Sequence, residues 1–91
     1  MPVFLIERRY AQEFTPDAEG ASEVRLINED EDVRWLYSFL SADKRKSFCL
    51  YEAESAEAIR RAAVRAGLPA DVVIEVGHKV LPDGSLQPVG G

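Results

Sequence analysis

Residues 35–55 have the sequence WLYSFLSADKRKSFCLYEAES, in which two alternating stretches flank a polar segment. The first stretch places aromatic rings at every second position and the second places small or polar residues in the same way: Trp35, Tyr37 and Phe39, then Ser47, Cys49 and Tyr51. Side chains alternate between the two faces of a β-strand. The pattern therefore predicts two strands, 33–42 and 47–53, joined as a hairpin by the turn 43–46.

Signals on either side of this hairpin predict the other elements. An apolar run that becomes charged predicts a strand over 3–9, and Thr15-Pro16-Asp17 predicts a helix start that leads to a helix ending near Asn28. Ser55 is the expected cap of a second helix that Gly67 and Pro69 end, and 72–81 is the last strand. The order strand, helix, strand, strand, helix, strand is typical of the α+β ferredoxin-like βαββαβ fold, an antiparallel sheet with both helices on one face.

Alternation also assigns the strand residues to two faces. The face predicted under the helices is aliphatic or phenylalanine: Phe4, Ile6, Leu36, Leu40, Phe48, Leu50, Val72, Ile74 and Val76. The other face mixes rings, carboxylates and a thiol: Val3, Leu5, Glu7, Arg9, Trp35, Tyr37, Phe39, Ser47, Cys49, Tyr51, Val73, Glu75 and Gly77. Two helices cannot cover both faces, and a large exposed apolar patch indicates an interface. We therefore expect a homodimer in which sheet faces sheet around an interior space lined by the polar residues.

Composition limits the classes of function. A chain of 91 residues predicts one domain, 1–82, followed by a Gly- and Pro-rich flexible tail, 83–91. The net charge of -5 argues against nucleic acid and anionic membranes as partners. One cysteine and a short apolar start indicate a cytoplasmic protein without a signal peptide. The terminal Gly90-Gly91 is shared with sulfur carriers, but the predicted element order differs from theirs, and a plain tail is the preferred interpretation.

Several segments together resemble a known family. They are Pro2 to Arg8, Trp35, Ser38, Phe39, Asp43-Lys44, Cys49, Tyr51-Glu52-Ala53, Ala58-Ile59-Arg60, Ala66 to Ala70 and Glu75-Val76. The set resembles that of small actinobacterial ferredoxin-like proteins, a family represented by a nickel-binding protein from Streptomyces. The resemblance extends from Pro2 to about Val80 and implies a dimeric α+β barrel, with nickel or another divalent transition metal as the ligand.

This chain departs from the family pattern at position 37. The family commonly has a histidine two residues after the tryptophan, where this chain has Tyr37. Histidine is the usual nickel ligand, whereas a phenol is a weak ligand at neutral pH. We therefore predict that any nickel binds more weakly here than in relatives that carry the histidine.

The candidate ligand-binding residues are six residues of the mixed face and one residue of the set that resembles the family. They are Glu7, Trp35, Tyr37, Cys49, Tyr51 and Glu75, together with Ser38. The candidate metal ligands among them are Glu7, Cys49 and Glu75, because carboxylates and a thiolate are metal ligands. Each residue also has a plainer interpretation. Cys49 is also explained as a buried structural thiol, the carboxylates as partners of Arg9 or Arg34, and the aromatic row as core or interface. The lone His78 is interpreted as a residue at the rim of the sheet.

Three functions remain open from the sequence. The first is a dimeric binding protein that holds a transition-metal ion or a small ligand inside the barrel. The second is a cofactor-free enzyme with the same architecture, such as a monooxygenase, isomerase or cyclase, although no positioned histidine base favours it. The third is an interaction domain that uses the acidic segment 28–32 as its contact surface.

Overall fold

Two helices and six strands are present in residues 1–89, the part of the chain that a computed structural model describes. In chain order they are β1 (Val3–Arg9), α1 (Ala18–Asp30), β2 (Arg34–Leu40), β3 (Lys46–Glu52), α2 (Ala56–Ala66), β4 (Val72–Val76), β5 (His78–Val80) and β6 (Leu86–Pro88). Strands β1 to β4 form an antiparallel sheet in the order β2-β3-β1-β4, with the helices on one of its faces. The predicted ferredoxin-like α+β arrangement of the chain is thereby confirmed. Neither described helix has the length and apolar character needed to span a membrane.

Both helices begin at a side chain that caps them. The Asp17 carboxylate accepts a hydrogen bond from the backbone N–H of Gly20 at 2.6 Å, so α1 starts two residues after the predicted cap, Thr15. Aspartate is a stronger cap than threonine, which explains the shift. Helix α2 follows the prediction, because the Ser55 hydroxyl caps its start and Gly67, with a φ of 69°, closes it in the left-handed conformation.

The β2–β3 hairpin is held by the side chain of its turn. The Asp43 carboxylate accepts hydrogen bonds from the Ser41 hydroxyl at 2.7 Å and from the Arg45 backbone N–H at 3.0 Å. These bonds lower the pKa of Asp43. Lys44 adopts a positive φ of 61°. The predicted polar turn is therefore held by its own hydrogen bonds, which fix how β2 pairs with β3.

The register of the sheet corrects the predicted assignment of faces. Residues directly opposite each other in an antiparallel pair lie on the same face. Ile6 lies opposite Cys49 and Phe4 lies opposite Tyr51, so Cys49 and Tyr51 are on the helix side and not on the predicted second face. A β-bulge between Trp35 and Tyr37 then separates two residues that simple alternation placed together.

Two faces can now be defined from the register. The helix face contains Phe4, Ile6, Arg8, Trp35, Ser38, Leu40, Ser47, Cys49, Tyr51, Val73 and Glu75. The open face contains Leu5, Glu7, Tyr37, Phe39, Phe48, Leu50, Val72, Ile74 and Val76. The prediction was right for β1 but inverted for β3 and β4. Both faces carry apolar residues, so alternation alone does not tell which of them lies under the helices.

The core lies between the helix face and α2. Helix α2 contributes mostly alanines, together with Ile59, which is fully buried. These pack against Phe4, Ile6, Cys49 and Tyr51. Small helix residues bring the helix close to the sheet, so a side chain as small as a thiol is enough to fill the space at position 49. This is a physical reason for the burial of Cys49 in place of Phe48.

The last predicted strand is two elements. β4 ends at Val76, and β5 pairs with β6 through Lys79 opposite Gln87 in a separate two-stranded sheet. The predicted boundary between domain 1–82 and tail 83–91 therefore falls inside a hairpin, and the flexibility of this segment stays a prediction. Gly90 and Gly91, which were interpreted as part of a plain tail, lie outside the described residues.

Candidate functional site

A cavity of about 470 Å³ lies between the helix face, α1 and the segment 10–17 that leads into α1. Its floor is formed by strand residues, among them Arg8, Ser47, Cys49 and Tyr51. The end of α2 closes one side. The predicted interior site therefore has a counterpart in the subunit, but it lies under the helices and not between two sheets.

The sequence of α1 explains why this space is not filled. Small and aliphatic residues recur along one side of the helix at Gly20, Ala21, Val24 and Ile27, with the spacing of helical turns. All four line the cavity, and none of them is fully buried. Asn28 is the one buried residue of α1. A helix with so little buried apolar surface does not close down onto the sheet.

Arg8 is the most unusual residue of the cavity floor. Its side chain alternates with Phe4 and Ile6 into the helix face, and the residue is only 3% exposed. Its Nη1 donates a hydrogen bond to the Pro69 carbonyl oxygen at 2.6 Å, and its guanidinium carbon lies 5.8 Å from the centre of the Tyr51 ring. Within residues 1–89, the ion pairs formed by arginines involve Arg9, Arg34, Arg61 and Arg65, and Arg8 forms none. A buried guanidinium without a carboxylate partner is rare in proteins.

Hydroxyl groups lie beside this guanidinium. The Tyr10 hydroxyl and the Ser47 hydroxyl are 2.7 Å apart, and the Ser47 hydroxyl is 3.6 Å from the Cys49 sulfur. Burial raises the pKa of Tyr10, while its hydrogen bond to Ser47 acts in the opposite direction. Burial also raises the pKa of Tyr51, against the opposing effect of the Arg8 charge. Both phenols are therefore neutral at physiological pH and can donate hydrogen bonds.

Two stacked aromatic pairs contribute to the cavity walls. The ring centroids of Trp35 and Tyr51 are 6.4 Å apart, and those of Tyr10 and Phe14 are 4.7 Å apart. In both pairs the two ring planes are 9° from parallel. The Trp35 Nε1 donates a hydrogen bond to the Ser38 hydroxyl at 2.8 Å. The bulge in β2 makes this contact possible, because it turns both residues to the helix side.

A second cavity of about 440 Å³ lies on the other side of Trp35. Its lining includes Asn28, Glu29 and Arg34. Asn28 is 4% exposed, and its Nδ2 finds no hydrogen-bond partner among residues 1–89. An unpartnered buried amide carries a desolvation cost. Trp35 and Ala21 line both spaces.

The structure brings together only part of the predicted ligand-binding set. Trp35, Ser38, Cys49 and Tyr51 line the first cavity, and their role in binding stays a prediction. Glu7 and Tyr37 lie on the open face, on the other side of the sheet. Glu75 lies opposite Phe4 on the exposed strand β4 and does not line the cavity.

The predicted metal ligands do not form one cluster within the subunit. Glu7 is paired with Arg9 at 2.8 Å on the open face, whereas Cys49 is buried on the helix face. Among residues 1–89, no group of three or more histidine, cysteine, aspartate or glutamate side chains is placed to hold a metal ion. His78 is exposed on β5. The donors of one subunit therefore do not fit a nickel site.

The cavity residues that sequence reasoning missed include Arg8, Tyr10 and Phe14. Arg8 shares the parity of Phe4 and Ile6, which is a usable signal, but arginine is usually exposed. Tyr10 and Phe14 lie in a segment without regular structure, so periodicity gives no information about them. Their spacing of four residues was the only hint of the stacked pair.

Two arginines of α2 form ion pairs with the acidic end of α1. Arg61 and Arg65 on α2 contact Glu31 at 3.1 and 2.9 Å, and Arg65 also contacts Asp30 at 2.6 Å. These contacts lower the pKa of Glu31. The acidic end of α1 is thus neutralised by α2, which favours an intramolecular role for this part of the acidic segment 28–32.

The open face is apolar and uncovered by either helix. Tyr37, Phe39 and Ile74 are exposed, and Phe39 is 63% exposed with its ring at right angles to that of Tyr37, 5.6 Å away. The strand carboxylates of this face are already paired, Glu7 with Arg9 at 2.8 Å and Glu52 with Arg34 at 3.9 Å. The apolar second face that the sequence predicted therefore exists, with a different set of residues.

Comparison with known proteins assigns the family. Residues 4–76 match the family described as nickel responsive protein SCO4226-like. The chain is similar to SCO4226 from Streptomyces coelicolor A3(2) in its crystal structure, with 29% identity and a TM-score of 0.71 over 81% of this chain and 94% of that chain. No curated protein matches the chain. Because the family match covers most of the sequence, as the resemblance predicted, the protein belongs to the SCO4226-like family of nickel responsive proteins.

Proposed function

We propose that this protein is a dimeric binding protein that holds a small organic molecule in the cavity under α1, with the open faces of two copies packed together. The observation that carries the proposal is the lining of the 470 Å³ cavity, which joins aromatic walls to a few buried polar groups. Ligand sites in proteins have volumes on the order of 300–1,000 Å³ and this same mixture of surfaces. The dimer supplies a partner for the remaining apolar surface.

A second copy is the preferred occupant of the open face. The exposed ring of Tyr37 and the side chain of Ile74 belong to one apolar row across the sheet, and the exposed ring of Phe39 lies in the next row. Pairing a sheet face with its own copy buries the same patch twice. The Glu7–Arg9 pair enters such an interface already neutralised, so burial leaves no lone charge.

The chain contains its own reporters for the cavity. Cys49 is the only cysteine and Trp35 the only tryptophan, and both line it. Untagged protein analysed by native mass spectrometry is expected to retain an organic molecule, or to regain one from a protein-free metabolite extract. Occupancy is expected to slow the alkylation of Cys49 by iodoacetamide.

A matched pair of variants separates the cavity from the rest of the surface. Ala21→Phe introduces a ring into the cavity wall and is expected to abolish the retained mass, whereas Ala18→Phe, at an exposed position of the same helix, is expected to preserve it. The proposal fails if the wild type neither retains nor regains any organic mass. It also fails if both variants behave alike.

Nickel binding is the second candidate, and family membership is the observation that favours it. A response to nickel does not require a bound nickel ion, and the described donors of one subunit form no site. A site therefore needs donors from two copies, which would meet at the open face. Calorimetric titration of nickel is expected to show weak binding that Tyr37→His strengthens and Phe48→His, at a half-buried position of the same face, does not. Tight binding by the wild type would overturn this expectation.

The enzyme alternative has less support. Catalysis in the same cavity needs an acid or base at the reacting group. His78 does not line the cavity, and the two phenols with raised pKa values are weak acids at neutral pH. Binding is therefore the function that the arrangement supports best.

A further inference from the structure

The cavity floor contains a positive charge without a negative partner. Arg8 is 3% exposed and lines the cavity, and no carboxylate of residues 1–89 lies within ion-pair distance of it. Its contacts are the Pro69 carbonyl oxygen and the face of the Tyr51 ring. A guanidinium stays charged in proteins and has five N–H donors, more than these contacts use. Removing an unpaired charge from water is costly, so this position is one where an anion gains affinity.

The groups around Arg8 are donors as well. Ser47 lies directly opposite Arg8 in the sheet, on the same face, and its hydroxyl forms a hydrogen bond with the Tyr10 hydroxyl. A guanidinium beside a hydroxyl pair that has one O–H left to donate is a suitable set of donors for one carboxylate group. The carboxylates that line the cavity, Asp17 and Glu23, are both exposed residues, and Asp17 is engaged by the start of α1. Arg65, the other lining cation, is already paired with Asp30 and Glu31.

The rest of the cavity is suited to a flat apolar body. The Trp35–Tyr51 pair and the Tyr10–Phe14 pair present aromatic rings, and Val24 and Ile27 close the space from α1. Aromatic rings stack with one another in offset or edge arrangements. Resting on the proposed binding function, we propose that the cavity binds a small aromatic carboxylate, with the carboxylate on Arg8 and the ring between the aromatic walls.

The test compares two compounds of the same shape, one with a charged carboxylate and one with a neutral carboxamide. 2-Naphthoate and 2-naphthamide are titrated into the full-length wild-type protein, with affinities and binding positions read from ¹H–¹⁵N correlation spectra. The naphthoate is expected to bind about 10- to 100-fold more tightly, the range for a charge-assisted hydrogen bond in a buried site. The Trp35 indole N–H signal is expected to shift with both compounds.

Two variants assign the preference to Arg8. Arg8→Met is expected to reduce the ratio of the two affinities to near one, while Arg8→Lys, which keeps a charge without the two-pronged geometry, is expected to retain part of it. The wild-type ratio remains decisive if Arg8→Met does not fold. Equal affinities in the wild type, a preference retained in Arg8→Met, or shifts confined to the open face would each overturn the proposal. Binding of neither compound, together with a retained organic mass, would leave the cavity function standing and refute the carboxylate.

Discussion

Replacing Phe39 with alanine is expected to weaken the dimer while leaving the subunit folded. Burying a whole phenylalanine side chain contributes about 1.5–3 kcal/mol. Phe39 is 63% exposed in the subunit, so a partner that covers it adds about 1–2 kcal/mol. A twofold interface contains Phe39 from both copies, so the substitution removes about 2–4 kcal/mol in total. This loss raises the dimer Kd by roughly 30- to 1,000-fold.

A control on the other side of the molecule makes this prediction specific. Val64 on α2 is 80% exposed, and α2 packs on the helix face. Val64→Ala therefore removes exposed apolar surface without touching the open face, and we expect the wild-type Kd. Sedimentation equilibrium from nanomolar to high micromolar concentration measures all three proteins, and far-UV circular dichroism checks that each is folded.

Two results would refute the reasoning. A wild type that sediments as a monomer at high micromolar concentration would show that the open face has no second copy as its partner. Equal shifts in Kd for Phe39→Ala and Val64→Ala would show that the dimer uses another surface. In either case the apolar row around Phe39 would need a different explanation.

The remaining predictions concern stability. Gly67→Ala places a side chain at a φ of 69° and is expected to cost about 1 kcal/mol, or about 4–8 °C in Tm by calorimetry, whereas Gly77→Ala, in open space without a positive φ, is expected to have a smaller effect. Glu31 has a lowered pKa, so its ion pairs stabilise the fold above the ordinary value of 4.5 and are lost as pH falls through the lowered value. The difference in free energy of unfolding between wild type and Glu31→Gln, measured by urea denaturation, is therefore expected to disappear at acid pH. A difference that persists at acid pH would contradict this expectation. Tyr51 has a raised pKa, so stability is expected to decline as pH rises above 10.0, and less so in Tyr51→Phe.

The topology followed from the sequence because its local signals agree with one another. Ser55, Gly67 and Pro69 mark a helix by its ends, and the polar turn at Asp43 marks a hairpin. Each of these signals acts within a few residues, so tertiary packing does not need to be known. The position of α1 was off by two residues because two capping residues, Thr15 and Asp17, compete for its start.

The assignment of strand residues to the two faces of the sheet did not follow from the sequence, because it depends on contacts between distant segments. Phe48 and Leu50 are more apolar than Ser47 and Cys49, so apolar character alone favours them as the core. The alanines of α2 reverse that choice, since the closely packed helix leaves room for a thiol. The burial of Arg8 also cannot be predicted from the residues next to it in the sequence. The cavity that Arg8 lines exists because α1 does not fill the space above the sheet.

The bulge in β2 gives the two faces separate tasks. Without the extra residue, Trp35, Tyr37 and Phe39 would share one face, as simple alternation predicts. With it, Trp35 lines the cavity under α1 while Tyr37 and Phe39 remain on the open face. Position 37, where the family pattern has a histidine, thus lies on the surface proposed to meet a second copy. A substitution at position 37 is therefore expected to act on that proposed interface and not on the cavity, because the sheet lies between them.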